Sequence, residues 1–223
     1  STEVLVKAVT YKTDDDDFNK VETDYRGNIK YSTMISKLCK FNRRSEFIIN
    51  VIKTELEKKP DQQMIVLGHN KNLLVYLYQA LEHHNIASVG YYLGGMKDSA
   101  LKQSESKKVI IATYAMAAEG LDIKTLTTAV FVTPKTDITQ ATGRILRVKH
   151  SQPMIIDIVD AHDVFERQWQ KRVKFYNRNK YKIMHTNSDL YESDKWERID
   201  KKAKKSLPPP PPAPKCLITL NMG

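Results

Sequence analysis

An amide and two guanidinium groups recur at helical spacing in residues 140–147, which read Gln-Ala-Thr-Gly-Arg-Ile-Leu-Arg. Gln140, Arg144 and Arg147 lie at positions i, i+4 and i+7, so a helix over this segment presents them on one face. Arginine carries a planar, permanently charged group that matches phosphate oxygens. Gly143 leaves room for a ligand or a neighbouring backbone. The segment predicts a phosphate-binding face, and a solvated basic helix face is the alternative.

Two short apolar runs bracket a polar connection just before that segment. Residues 109–112 and 129–132 are apolar without alternation, as expected of strands that are buried on both faces of a parallel sheet. Ligands of such sheets bind at the carboxyl ends of the strands. The polar and glycine residues that should lie at this edge are Thr113, Glu119, Gly120 and Asp122.

Strand and helix patterns alternate along much of the remaining chain. Residues 64–67, 86–92 and 153–159 have the composition of buried strands, and residues 3–11 alternate as a half-buried strand does. Helical spacing of apolar residues covers residues 32–39, 45–59 and 163–178, together with the segments that follow Asn70 and Ile138. The alternation predicts an α/β fold with a mainly parallel central sheet flanked by helices.

The order of these segments resembles the C-terminal half of superfamily 2 helicases. Residues 113–123 look like motif V of that family, residues 140–147 like motif VI and residues 64–70 like motif IV. The resemblance extends over about residues 64–182. It is closest to the XPB-like branch, which holds the poxvirus transcript-release helicase and the phage DNA-reannealing helicases, and to similar proteins of large DNA viruses. The resemblance implies a RecA-like fold.

Two motifs of a complete two-lobe helicase are not found in the sequence. There is no Gly-x-x-x-x-Gly-Lys-Ser/Thr phosphate loop and no Asp-Glu-x-His box. These motifs hold the nucleotide and its Mg²⁺ on the first RecA-like lobe. The resemblance therefore implies the second motor lobe of an ATP-dependent helicase or translocase, with the first lobe as its partner, and predicts that this chain alone is inactive.

The resemblance also implies roles at an ATP site between the two lobes, with Mg²⁺ held by the first lobe. In this scheme Arg144 and Arg147 reach the γ-phosphate as arginine fingers, and Gln140 senses the same phosphate. The residues expected to contact the ribose or to allow close approach of the nucleotide are Asp122, Gly120 and Gly143. Glu119 receives no role, since many relatives carry a basic or small residue there.

Nucleic acid is the second expected ligand, and the resemblance favours DNA over RNA. Thr113 would contact a backbone phosphate of the tracked strand. Asn70 begins a helix whose free N–H groups would lie near another phosphate, although capping of that helix is an alternative role for its side chain. Gly94 and Gly95 would allow a close turn beside the strand.

Composition agrees with an intracellular protein that binds a polyanion. The 36 Lys and Arg outweigh the 26 Asp and Glu, which gives a formal net charge of +10. The two cysteines, Cys39 and Cys216, lack metal-ligand spacing and indicate a reducing compartment without a metal site. No secretory or membrane-spanning run is present in the sequence. We therefore expect a soluble protein of the cytoplasm or nucleus, or of an infected cell or virion if it is viral.

Three regions are predicted along the chain. Residues 1–60 form an N-terminal strand and helices that lead into the lobe, residues 61–184 form the RecA-like core, and residues 185–223 form a basic, proline-rich and disordered tail. The acidic run at residues 14–17 is interpreted as an exposed loop. Two alternative functions remain open, namely a nucleic-acid or protein-binding module without ATPase activity, and a translocase that does not separate strands.

Overall fold

A computed structural model of the protein describes residues 3–69, 71–146, 152–201 and 211–212. These residues form one eight-stranded sheet with helices on both faces. The strands are β1 Leu5–Tyr11, β2 Met64–Gly68, β3 Val89–Tyr92, β4 Val109–Thr113, β5 Thr128–Phe131, β6 Met154–Asp160, β7 Lys182–Asn187 and β8 Glu197–Arg198. The helices are α1 Asp16–Asn19, α2 Tyr31–Lys40, α3 Asn42–Lys58, α4 Lys71–His83, α5 Asp98–Ser104, α6 Tyr114–Glu119, α7 Thr139–Ile145 and α8 Asp163–Arg178. None of these helices has both the length and the apolar character that crossing a bilayer requires.

The sheet is mainly parallel, which confirms the predicted fold class. Its strand order is β3-β4-β2-β5-β6-β1-β7-β8, and only the pairing of β7 with β8 is antiparallel among the described strands. Parallel neighbours need crossover connections, and helices supply most of them here. The carboxyl ends of β2, β4 and β5 consequently lie side by side at one edge, where the predicted site residues follow them.

Helices bury both faces of the sheet, which explains why its central strands are apolar without alternation. Side chains of a strand point alternately to opposite faces. Ile65 of β2 accordingly belongs to the apolar cluster that includes residues of α6 and α7, whereas its neighbour Val66 belongs to the cluster on the other face, with residues of α2, α3 and α4. The helical spacing of apolar residues places Leu73, Leu74, Leu77 and Leu81 on one side of α4, and all four are buried. On α8 the same spacing selects Phe165, Trp169 and Tyr176, which are buried, and Val173, which is partly buried. The helical spacing of these residues thus correctly identified the inward faces.

The strand predicted at residues 86–92 is shorter in the structure, where β3 begins at Val89. Asn85 has a left-handed backbone conformation with φ 50° and lies just after α4. The N–H of Ile86 then donates to the carbonyl of Leu81 at 3.0 Å. This turn closes the end of the helix and uses the residues that the apolar pattern had assigned to the strand.

The first predicted region is part of the core rather than a lead-in to it. β1 lies inside the sheet, where it pairs in parallel with both β6 and β7. Its alternating pattern predicted a half-buried strand, in which Lys7 is one of the residues between the apolar positions. The ammonium group of Lys7 forms an ion pair with Glu55 of α3, so this polar residue is accommodated on a covered face.

The predicted start of the tail at residue 185 is wrong, because residues 182–201 contribute two strands and buried anchors to the same domain. Tyr191 is buried, and its hydroxyl donates to Glu55 Oε2 at 2.7 Å. Asp200 is buried and accepts from the N–H of Ile183 at 3.1 Å. These single anchors leave no periodic pattern for sequence reasoning to detect. The basic and proline-rich stretch beyond residue 201 lies outside the described residues, apart from residues 211–212.

The acidic run at residues 14–17 is largely exposed, as predicted, but it is not wholly a loop, because its second half begins the short helix α1. Asp15 accepts from the N–H of Phe18 at 2.8 Å and so caps its first turn. Phe18 is buried beside Tyr11, Phe41 and His162. The aromatic anchor fixes a segment whose charges alone favour solvent.

Candidate functional site

The site lies at the edge where β2, β4 and β5 end. Gly68 is the register partner of Thr113, and Leu67 is that of Phe131. The segments that follow these strands are therefore neighbours, as the parallel sheet predicted. Thr113 and the helix α7, which were 26 or more residues apart in sequence, come to the same edge.

Thr113 ends β4 and caps α6. Its hydroxyl accepts from the N–H of Met116 at 3.3 Å. A threonine hydroxyl that accepts one hydrogen bond still has a proton to donate. Capping is therefore compatible with the predicted contact between Thr113 and a backbone phosphate.

Helix α7 positions the predicted phosphate-binding side chains. Asp137 Oδ1 accepts from the N–H of Thr139 at 3.0 Å, and this hydrogen bond holds the pKa of Asp137 below its usual value. Ala141 and Ile145 bury the inner side of α7 against the sheet. The outward-facing residues are Gln140 and Gly143, which are exposed, and Arg144, which is half-buried.

The outward face of α7 therefore brings Gln140 and Arg144 together, one helical turn apart. Among the described residues, no heavy atom lies within 4 Å of the position that a Cβ on Gly143 would occupy. The described helix ends at Ile145. Arg147 lies outside the described residues, as does Asn70.

A pocket of about 330 Å³ opens beside the N-terminal end of α7. Its polar lining residues include His69, Lys135, Asp137 and Gln140, and the ring of Tyr114 forms part of its wall. The ammonium of Lys135 lies 5.7 Å from the centre of the Tyr114 ring. Partial burial lowers the pKa of His69, and the charge of Lys135 lowers it further, so His69 is neutral near pH 7. The pocket combines the ammonium of Lys135 and the carboxylate of Asp137 with the neutral hydrogen-bonding groups of His69 and Gln140.

The two predicted nucleotide-binding residues between α6 and β5 lie in an open loop. Gly120 ends α6, with its N–H donating to the carbonyl of Met116 at 3.2 Å. Gly120 and Asp122 are both exposed. Within the part of the chain that the structure describes, a Cβ added at Gly120 would have no heavy atom within 4 Å, which leaves space for a ligand to approach this backbone.

The glycine pair predicted beside the nucleic acid lies next to α6. Gly94 and Gly95 are exposed and follow β3, the neighbour of β4. A Cβ on Gly94 would lie 3.9 Å from Met116 Sδ, which places the loop close to the capped end of α6. Gly95 has φ 84°, a conformation that favours glycine. The structure thus brings Gly94 near the helix that Thr113 caps.

Sequence reasoning missed two buried ion pairs that lie behind the connection between β5 and α7. Asp157 of β6 accepts from Arg172 Nε and Nη2, both at 2.9 Å, and from the Tyr176 hydroxyl at 2.7 Å. Burial by itself lowers the pKa of Arg172, but the charge and hydrogen bonds of Asp157 outweigh it and raise that pKa above its usual value. Asp160 is paired in the same way with Arg44 of α3, at 2.9 and 2.8 Å. All four charged side chains are buried.

The two arginines also bind the connection between β5 and α7. Arg44 Nη2 donates to the carbonyl of Val132 at 2.7 Å, and Arg172 Nη1 donates to the carbonyl of Lys135 at 2.8 Å. A signal for these contacts was present in the sequence, because a carboxylate inside an apolar strand such as residues 154–160 requires a buried partner. The connection that leads to Gln140 and Arg144 is thus held by two ion-paired side chains.

Comparison with known proteins identifies relatives in large viruses. No protein-family model matches the chain. The chain is 40% identical over 157 residues to the "Putative ATP-dependent RNA helicase L396" of Acanthamoeba polyphaga mimivirus. The aligned residues make up 68% of this chain and 30% of the relative. It is 25% identical over 164 residues to the "Putative ATP-dependent RNA helicase QP509L" of African swine fever virus, covering 66% of this chain and 32% of the relative. The chain therefore spans about one third of the length of these relatives.

A solved structure supports the fold independently. The chain is similar to the crystal structure of T4 UvsW with a TM-score of 0.63 and 16% identity, over 83% of this chain and 42% of that one. At this identity the likeness concerns the fold alone. The chain is a homologue of viral proteins that are named as ATP-dependent helicases, and its fold is that of a RecA-like helicase C-terminal domain.

Proposed function

We propose that this chain is the second motor lobe of an ATP-dependent superfamily 2 helicase or translocase. In this proposal it belongs to a longer protein, called here the two-lobe protein, in which a first RecA-like lobe carries the phosphate loop and the Mg²⁺ carboxylate. The observation that carries the proposal is the position of Gln140 and Arg144, one turn apart on the outward face of α7 at the carboxyl edge of the sheet. The 40% identity to the mimivirus protein supports it.

The proposed part of α7 in catalysis is electrostatic. Charge develops on the transferring phosphoryl group during ATP hydrolysis, and a guanidinium placed against that group stabilises the transition state. Arg144, with Arg147 as the second proposed finger, would supply this charge from the second lobe. Gln140 would hydrogen-bond the same phosphate, and Asp122 would meet the ribose beyond the open backbone at Gly120.

The proposed nucleic-acid contact uses the edge around α6. Thr113 would donate its hydroxyl proton to a backbone phosphate, and the exposed loop with Gly94 and Gly95 would lie along the strand. The helix that follows Asn70 would turn its N-terminal end, the positive end of the helix dipole, toward a further phosphate. Contacts of this kind position a strand without reading its sequence.

The identity of the strand is part of the proposal. The sequence resemblance favours DNA, whereas the names of the mimivirus and African swine fever virus relatives specify RNA helicases. A competition between DNA and RNA strands of identical sequence for the purified chain decides this point. The viral origin of the relatives supports a role in a virus-infected cell.

Binding should be salt-dependent and insensitive to sequence. If about three phosphates are contacted, affinity for a single strand should fall roughly 20-fold between about 50 and about 200 mM salt, because counterions are released on binding. Fluorescence anisotropy with a labelled strand measures this change. Thr113→Val should weaken binding, and Thr125→Val is the matched control because Thr125 is exposed at the opposite edge of the sheet, before β5. An affinity that is equal at both salt concentrations would exclude the backbone contact.

A further inference from the structure

Thr133 links three segments of the site through one buried residue. It follows β5 in the connection to α7 and is 1% exposed. Its hydroxyl accepts from the backbone N–H of His69 at 3.0 Å and is hydrogen-bonded to His69 Nδ1 at 2.9 Å. Its carbonyl accepts from the hydroxyl of Tyr114 at 2.7 Å. The segments after β2, β4 and β5 are therefore joined at Thr133.

The hydroxyl of Thr133 can satisfy both of its contacts with His69. A hydroxyl has one proton and two acceptor sites. The backbone N–H of His69 occupies one acceptor site. The neutral imidazole then either donates from Nδ1 to the second site or accepts the hydroxyl proton, depending on its tautomer. Thr133 thereby fixes the main chain and the ring of His69 together.

The partners of Thr133 adjoin the proposed nucleic-acid contacts. Tyr114 follows Thr113 directly, and His69 directly precedes Asn70 in the sequence. Tyr114 is buried and its ring lies against that of His69, with centroids 4.7 Å apart. A bound nucleic-acid strand that shifts the segment at His69 or the segment at Tyr114 must therefore displace Thr133 or break a buried hydrogen bond.

The residues on either side of Thr133 are held by a different part of the protein. Val132 and Lys135 are bound by Arg44 and Arg172, which come from α3 and α8. Neither of these helices carries a residue that we assign to the nucleic acid. In the segment between β5 and α7, Thr133 is consequently the residue whose partners, His69 and Tyr114, adjoin the proposed nucleic-acid contacts. The same segment leads directly into α7.

We propose that Thr133 is a positioning residue that couples contact with nucleic acid at the ends of β2 and β4 to the placement of α7, and so to ATP turnover. This inference rests on the proposed function, since it requires a strand at one end of the connection and ATP at the other. The coupling is reciprocal, so ATP bound at α7 should also affect the affinity for the strand.

The test uses Thr133→Val in the two-lobe protein, because valine has nearly the shape of threonine but no hydroxyl. The quantity measured is the ratio of ATP turnover with saturating nucleic acid to turnover without it. We expect this ratio to fall on the order of tenfold. Thr133→Ser keeps the hydroxyl and should restore most of the ratio. Tyr114→Phe removes the donor to the Thr133 carbonyl, should act in the same direction, and replaces Thr133→Val as the test if that variant does not fold.

Thr128→Val is the matched control. Thr128 lies at the other end of β5, and its buried hydroxyl donates to Gln62 Oε1 at 2.7 Å. This variant also loses a buried hydrogen bond and should be destabilised to a similar extent, but it should keep the parental ratio. A parental ratio in Thr133→Val, or an equal fall in Thr128→Val, would overturn the coupling role while leaving the proposed function intact. A parent that does not hydrolyse ATP would instead refute the proposed function, and the inference with it.

Discussion

Arg144→Ala in the two-lobe protein should lower ATP turnover by a factor of about 10³ to 10⁵, the range in which arginine fingers act in related phosphoryl-transfer enzymes. Arg144 is half-buried on α7, one turn from Gln140, and Gly143 beside it leaves the surface open. ATP binding should change far less, because the phosphate loop belongs to the first lobe. Arg147→Ala should act in the same direction. The measurement is steady-state ATP hydrolysis with saturating nucleic acid.

Two further variants test whether the effect of Arg144→Ala is specific to the guanidinium group at this position. Arg144→Lys should restore little activity, because an ammonium group cannot reproduce the planar fork of the guanidinium. Arg167→Ala is the matched control, since Arg167 is exposed on the outer face of α8, and it should shift stability by no more than about 0.5 kcal/mol and keep the parental turnover. An Arg144→Ala protein that melts and turns over ATP like the parent would remove α7 from the mechanism.

Asp157→Asn, a change at a buried residue of β6, should strongly lower the free energy of unfolding. Asp157 is fully buried and receives two hydrogen bonds from Arg172 and one from Tyr176. Loss of its charge leaves a buried guanidinium without a counter-charge, which costs about 3 to 5 kcal/mol. Urea unfolding of the isolated chain measures this loss of free energy.

A surface pair and a double replacement are the controls for Asp157. Asp194→Asn removes the charge from an exposed pair with Lys58, whose atoms are 3.2 Å apart, and should cost at most about 1 kcal/mol. The double variant Asp157→Leu with Arg172→Met removes both buried charges and should be more stable than Asp157→Asn. Equal losses for Asp157→Asn and Asp194→Asn would contradict the structural role of the buried pair.

The apolar strands and the site edge could be predicted from the sequence because each has a local signature. Residues 64–67 and 109–112 are buried on both faces, so their composition alone identifies central strands. Gln140 and Arg144 lie four positions apart, which a helix converts into one face. The parallel sheet then places Thr113 at the same edge. These predictions needed only periodicity and the general geometry of α/β sheets.

The polar network behind the site could not be predicted because it depends on strand order. Phe131 and Asp157 are register partners, so β6 places its carboxylates beside the connection that contains Thr133. Nothing local states that Arg44, 116 residues away, is the partner of Asp160. Strands β7 and β8 were not predicted because β7 is only partly buried and β8 has just two exposed residues, so neither carries a strong apolar pattern. In each case the missing information was long-range pairing.

The most direct test of the central claim compares ATP turnover by this chain alone with turnover by the two-lobe protein, each with and without nucleic acid. If the chain is a second lobe, it should fold but show no turnover above background, because residues on α7 cannot replace a phosphate loop. The two-lobe protein should hydrolyse ATP faster when nucleic acid is added. Hydrolysis by this chain alone that nucleic acid stimulates and Arg144→Ala abolishes would contradict the assignment.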